Sequence, residues 1–233
     1  MNEYVQQLTV SQAEPMERAA FIRRTYAHLA GAILAFVGLE AYMINSPIAG
    51  MLLNVMSMRF GWLMILGGFI VLGRLASGLA SSAASQSVQY AGLTLYVIAE
   101  AVIFAPLLYL AMYYSSPEVI PTAGILTLGI FGGLTLIVFT TKKDFSFLRG
   151  ILAVGSMVAL GLIVCAVVFG FNLGLVFSAA MVLLASGAIL YDTSRIQNHY
   201  RTDQHVAASL QLFASVALLF WYVLNILMRL NRR

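Results

Sequence analysis

Four ionisable residues, Glu40, Arg74, Glu100 and Asp192, stand inside long apolar runs. Each costs roughly 2.5–3.5 kcal/mol to place in a bilayer on insertion scales, so such groups usually face a partner or a water-filled cavity. The chemistry open to three acids and one arginine in these surroundings is the binding of protons and cations. Burial disfavours the charged form of a carboxyl and an adjacent guanidinium favours it, so an acid held between the two can sense protonation. Asp192 and Arg195 lie three apart, a spacing that equally gives a local pair at the membrane boundary. Glu100 is the acid furthest from water along its run. Glu40 lies near the end of its run, where its carboxyl can snorkel to water. Arg74 reads either as an interfacial anchor or as the partner of an acid.

The composition says what must position these groups. Of 233 residues, 61% are hydrophobic and 9% charged, and the mean hydropathy is +0.90. A soluble domain carries about 25% charged residues, so this is an integral membrane protein. The net charge of +4 is scattered over ends and loops, which excludes a nucleic-acid partner. The lone Cys165 allows no internal disulfide. There is no HExxH helix, GxSxG elbow or Cys/His ligand cluster, and His28, His199 and His205 are far apart in sequence. The expectation is a protein that is not an enzyme and has no cofactor. The first 24 residues carry Glu3, Glu14, Glu17, Arg18, Arg23 and Arg24 and lack an apolar core, so no cleaved signal peptide is expected.

A helical crossing needs about 20 apolar residues. The chain divides into seven such segments, 25–46, 59–76, 90–114, 119–141, 147–170, 173–196 and 205–230. The predicted architecture is all-α: a cytoplasmic segment 1–24 followed by one seven-helix domain, 25–233. The second span is the least defined, because Met51–Met58 is also apolar. With the N-terminus inside, Arg18, Arg23, Arg24, Arg74, Lys142, Lys143, Arg149, Arg195 and Arg201 fall on the inner side. Arg59, Arg229, Arg232 and Arg233 fall outside. The bias favours that orientation, although the basic tail 229–233 then lies outside. Gly129, Gly133, Ala179, Ala180, Ser186 and Gly187 are candidates for close helix contacts, and Trp62, Trp221, Tyr113, Tyr114 and Tyr200 for interfacial belts. A rise of about 1.5 Å per residue puts Arg74 and Asp192 within ~3 Å in depth and Glu100 roughly 9 Å deeper than Asp192. The first two can pair directly; Glu100 needs a water chain to reach Asp192.

Two segments carry more specific information: KKDFSFLRG (142–150) between spans four and five, and AILYDTSRI (188–196) closing span six. Together with AEAVIFAPLLYLA (99–111) and the seven spans, they resemble the Bax inhibitor-1 (transmembrane BAX inhibitor motif) family, within it the bacterial YccA-like members. The resemblance covers the chain from about Thr25 onward. It implies a last helix at the centre of six others and a pH-sensitive calcium leak in a bacterial inner membrane. It also implies an aspartate pair between spans six and seven and a span-two arginine that latches the closed state. Asp192 matches the first aspartate through YDTSRI, and Arg74 is the candidate latch. The second aspartate is missing: span seven reads LQLFASVALLF (210–220), with Phe213 nearest the acidic position and no Asp or Glu anywhere. Asp192 must then act alone, with Glu100, or with neutral oxygens such as Gln211 and Ser215. Calcium takes six to eight oxygen ligands, so one carboxylate makes a weak transit site. The resemblance carries a second implication, a non-conducting regulator that associates with a membrane-anchored ATP-dependent protease.

Overall fold

Proline, serine and glycine punctuate the apolar chain. The computed structural model describes residues 9–58, 60–82, 85–116 and 118–231, and these form eight helices. In order they are α1 Pro15–Ile44, α2 Pro47–Ser57, α3 Gly61–Ala80, α4 Gln86–Tyr114, α5 Val119–Thr141, α6 Leu148–Phe169, α7 Gly174–Asn198 and α8 His205–Leu230. Ser46 starts α2 by accepting the Ile48 N–H, with Pro47 at the first helical position. Ser85 caps α4 in the same way through the Val88 N–H. Gly170, at φ 75°, ends α6 in the left-handed conformation that glycine adopts without a Cβ penalty.

All helices except α2 are long and apolar enough to cross a membrane, seven in total. With 11 residues, α2 spans only about 16 Å, half a hydrocarbon core. The apolar stretch before the second crossing is therefore a separate short helix.

Helices α4 and α8 are the most enclosed, and α8 touches α1, α3, α4, α5 and α7. The last helix thus has the central place that the resemblance implied. Its core is aromatic: Phe36 and Tyr96 meet Phe213 edge-on, and Phe104 stacks on Phe220 and meets Trp221. Trp62 stacks on Trp221 at 5.7 Å, so Trp221 is a packing residue rather than part of an interfacial belt.

Helices α3 and α4 approach closely at Gly92 of α4, where a Cβ would stand 2.5 Å from the Ala80 nitrogen and 2.6 Å from the Ala76 oxygen of α3. Helix α6 packs on α7, with Leu184 against Gly155 and Leu152 against Gly187, and is otherwise exposed. Gly129, Gly133, Ala179 and Ala180 lie on exposed faces and mark no such contact.

One end of the bundle gathers the N-terminal residues and the α3–α4, α5–α6 and α7–α8 connections. There the Val10 N–H donates to the Tyr200 carbonyl at 2.8 Å, and the Phe145 N–H donates to Ser194 Oγ at 3.0 Å. Residues 1–8 of the segment 1–24, and Arg232 and Arg233 of the tail, lie outside the described residues. At the opposite end the Asn231 amide donates to Ser116 Oγ.

Candidate functional site

Asp192 sits six residues before the end of α7 and is 2% exposed. The helix phase that buries Ala185 and Ile189 turns Asp192 inward, four and three residues further on. It faces α8, where Ser215 donates its hydroxyl to Asp192 Oδ2 at 2.6 Å. Ser215 is itself buried. A neutral oxygen on the last helix thus meets the acid, two residues beyond the Phe213 position that the family pattern marks.

One turn toward the N-terminal end of the bundle, a cavity of about 200 Å³ opens between α3, α7 and α8. Ser77, Ser81, Arg195, Tyr200, Gln204 and Gln211 give it a polar wall. Gln211 is four residues before Ser215 and Arg195 three after Asp192, so both line this space just short of the Asp192–Ser215 bond. The Arg195 guanidinium lies over the rings of Tyr200 at 4.6 Å and Tyr191 at 5.6 Å. The charge of Arg195 reaches Asp192, but the described residues include no salt bridge between them.

Arg74 lies six residues before the end of α3, the same distance that Asp192 lies from the end of α7. Its side chain is exposed and forms no described ion pair. The two share a level along their helices without touching.

Glu100 is 14 residues from either end of α4 and 5% exposed. Tyr96, one turn earlier, lies within electrostatic reach of its carboxyl. No described hydrogen bond joins Glu100 to Asp192. The contacts between their levels run through Tyr96 and Phe213, whose rings are 6.2 Å apart.

Glu40 overturns its expectation. It is 4% exposed, and both carboxyl oxygens are buried with no hydrogen-bond partner among the described residues. Phe36 and Met43, four before and three after it, are buried on the same stripe of α1, so the helix phase points Glu40 into the bundle. It lies within electrostatic reach of Glu100.

Two further clusters join residues that the sequence keeps apart. The His28 ring is 5.0 Å from His205 and stacks on Tyr90 at 5.4 Å. In the α5–α6 connection, Asp144 accepts the Ser146 N–H and hydroxyl and the Ser194 hydroxyl, and lies 3.8 Å from His199 Nε2. The hydrogen bonds from Ser146, chiefly, hold its carboxyl below the usual aspartate range. The KKDFSFL segment is therefore stapled to the end of the YDTSRI helix, a contact invisible in either motif alone.

Comparison with known proteins agrees with this architecture. Residues 18–233 match the family described as Inhibitor of apoptosis-promoting Bax1. The Pseudomonas aeruginosa protein PA2604 is 34% identical over 230 residues, covering 97% of this chain and 96% of its own. Bax inhibitor 1 of Schizosaccharomyces pombe is 28% identical over 223 residues, covering 94% and 79%. The Escherichia coli protein named Modulator of FtsH protease YccA is 36% identical over 104 residues, 41% of this chain and 47% of its own.

Proposed function

The chain belongs to the Bax inhibitor family, and from that premise we propose that it is a pH-sensitive cation leak, with calcium as the candidate ion, shut at the contact between Asp192 and Ser215. The observation that carries the reading is a buried carboxyl bonded to the central helix about one turn beyond the end of a polar cavity. The polar wall makes the cavity a route for water as far as Gln211 and Arg195, just short of the Asp192–Ser215 contact. Asp192 in its charged form holds α8 through a charge-assisted hydrogen bond, roughly twice as strong as a neutral one. Protonation weakens that hold and frees α8 to shift. Beyond it, the ring cluster of Phe36, Tyr96 and Phe213 is a hydrophobic constriction of the kind that gates by dewetting. Glu100 is the next acid along the path. Arg74 is the latch candidate of a second closed arrangement, reached by turning its side chain inward toward Asp192. The membrane is the inner membrane of a bacterium, with the cavity end facing the cytoplasm.

Calcium flux in proteoliposomes between pH 5 and 8 tests this. The native chain should leak more as pH falls, Asp192→Asn should flatten the profile, and Glu100→Gln should lower the flux. Absence of flux above empty vesicles, from folded protein, overturns it.

A second reading rests on the relative named as a modulator of FtsH protease. In it the chain conducts nothing and binds a membrane-anchored ATP-dependent protease. Capture of that protease by the full, folded chain, with no flux above empty vesicles, is the outcome that supports this reading.

A further inference from the structure

The basic segment between α5 and α6 has no part in the leak. Beside it, Ser146 and Arg149 meet Tyr191, Arg195 and His199 of α7 around a cavity of about 480 Å³. We propose that this cavity, between the start of α6 and the end of α7, binds the headgroup of an anionic phospholipid.

Two arginines, Arg149 from α6 and Arg195 from α7, converge on one space whose lining includes no acid, with His199, just past the end of α7, at its edge beside Asp144. The nearest acids are already engaged. Asp144 takes the Ser146 and Ser194 groups beside His199, and Asp192 is bonded to Ser215. Arg195 has its guanidinium held over two tyrosine rings, and the N–H groups of that guanidinium make no hydrogen bond among the described residues. Ring stacking fixes the guanidinium plane and leaves its N–H edges for an oxyanion, which arginine takes in a two-point grip.

The surroundings select a lipid over free phosphate. Arg149 is the second residue of α6 and Arg195 lies in the last turn of α7, so the charges sit at a membrane boundary. On the face of α6 that carries Arg149, a stripe of apolar side chains, Ala153, Met157 and Leu160, follows at spacings of four, four and three, and all are exposed. Because α6 leans on α7 and is otherwise open, a lipid can enter sideways and lay an acyl chain along this stripe. Basic pockets between membrane helices are recognised sites for anionic headgroups.

Native mass spectrometry of the full chain, titrated with phosphatidylglycerol or phosphatidylcholine, tests the proposal. Phosphatidylglycerol should be retained at roughly tenfold lower concentration, and Arg149→Gln should remove most of that preference. Arg195→Lys, which keeps the charge and loses the fork, should weaken retention several-fold and serves if the first variant does not fold. The double variant Lys142→Gln, Lys143→Gln removes two exposed charges outside the cavity and should leave the preference intact. Equal binding of the two lipids overturns the proposal, as does an equal loss in the double lysine variant. Displacement of phosphatidylglycerol by inorganic phosphate would assign the cavity to a soluble anion and overturn the lipid assignment.

Discussion

Ser215 donates its hydroxyl to Asp192 at 2.6 Å across the seam between α7 and α8, both groups shut away from solvent. The second aspartate implied by the family pattern has no counterpart in α8, and a neutral donor two residues beyond that position meets Asp192 instead. The consequence is a contact that needs no shared proton: a charged Asp192 is a better acceptor for Ser215 than a neutral one.

Removing that donor should expose the cost of a buried carboxylate. Ser215→Ala is expected to lower stability by about 1–3 kcal/mol, the penalty of an unsatisfied buried acceptor, and to raise flux at neutral pH. Thermal unfolding in detergent and the proteoliposome assay read the two effects separately. A variant as stable and as tight as the native chain would show that the bond holds nothing.

Glu40 makes the opposite case. Its carboxyl is buried without a hydrogen bond and within reach of Glu100, so it contributes a desolvation cost that packing does not recover. Glu40→Met should raise the unfolding temperature. A fall would mean that the carboxyl holds a proton or cation that stabilises the fold.

Asp144 provides a pH test outside the spans. Its folded-state pKa is lowered, chiefly by Ser146, so its contribution to stability is present above the unfolded value of about 3.9 and is lost as pH falls through the folded value. Hydrogen exchange across 142–147 should therefore speed up as pH drops below about 4, after correction for intrinsic rates. Asp144→Asn should exchange faster at neutral pH and lose this acid step.

Gly92 and Gly133 open two similar strings, GLTLYV and GLTLIV, yet they do different work. A Cβ at Gly92 would run into the backbone of α3, whereas one at Gly133 meets nothing within 4 Å. Gly92→Ala should destabilise by roughly 1–3 kcal/mol through forced helix separation. Gly133→Ala should cost nothing measurable, which a parallel unfolding series can check.

The seven crossings were legible because each is a long apolar run, although the first helix begins at Pro15, ten residues before the predicted start at 25. The burial of Glu100 was legible for the same reason, since it lies in the middle of its run, whereas Asp192 lies four residues from the end of its predicted span and its burial follows from helix phase. What remained hidden was rotation about the helix axis. Position along α1 puts Glu40 near an end, but its phase with Phe36 and Met43 turns it inward. Phase also separates the small residues that touch a neighbour from those that do not. The partner of Asp192 was reachable only as one of several neutral oxygens, because choosing Ser215 over Gln211 requires the register of α8 against α7. The Asp144 staple and the His28–His205 pair join residues far apart in sequence, and no local pattern encodes them.

The brevity of α2 decides a matter of parity. If its eleven residues reached across, the chain would make eight passages and both of its ends would emerge together. It makes seven, so Thr9, paired with Arg201, and Asn231, bonded to Ser116, belong to opposite faces. A single water-soluble partner can hold one end of this chain or the other, but not both.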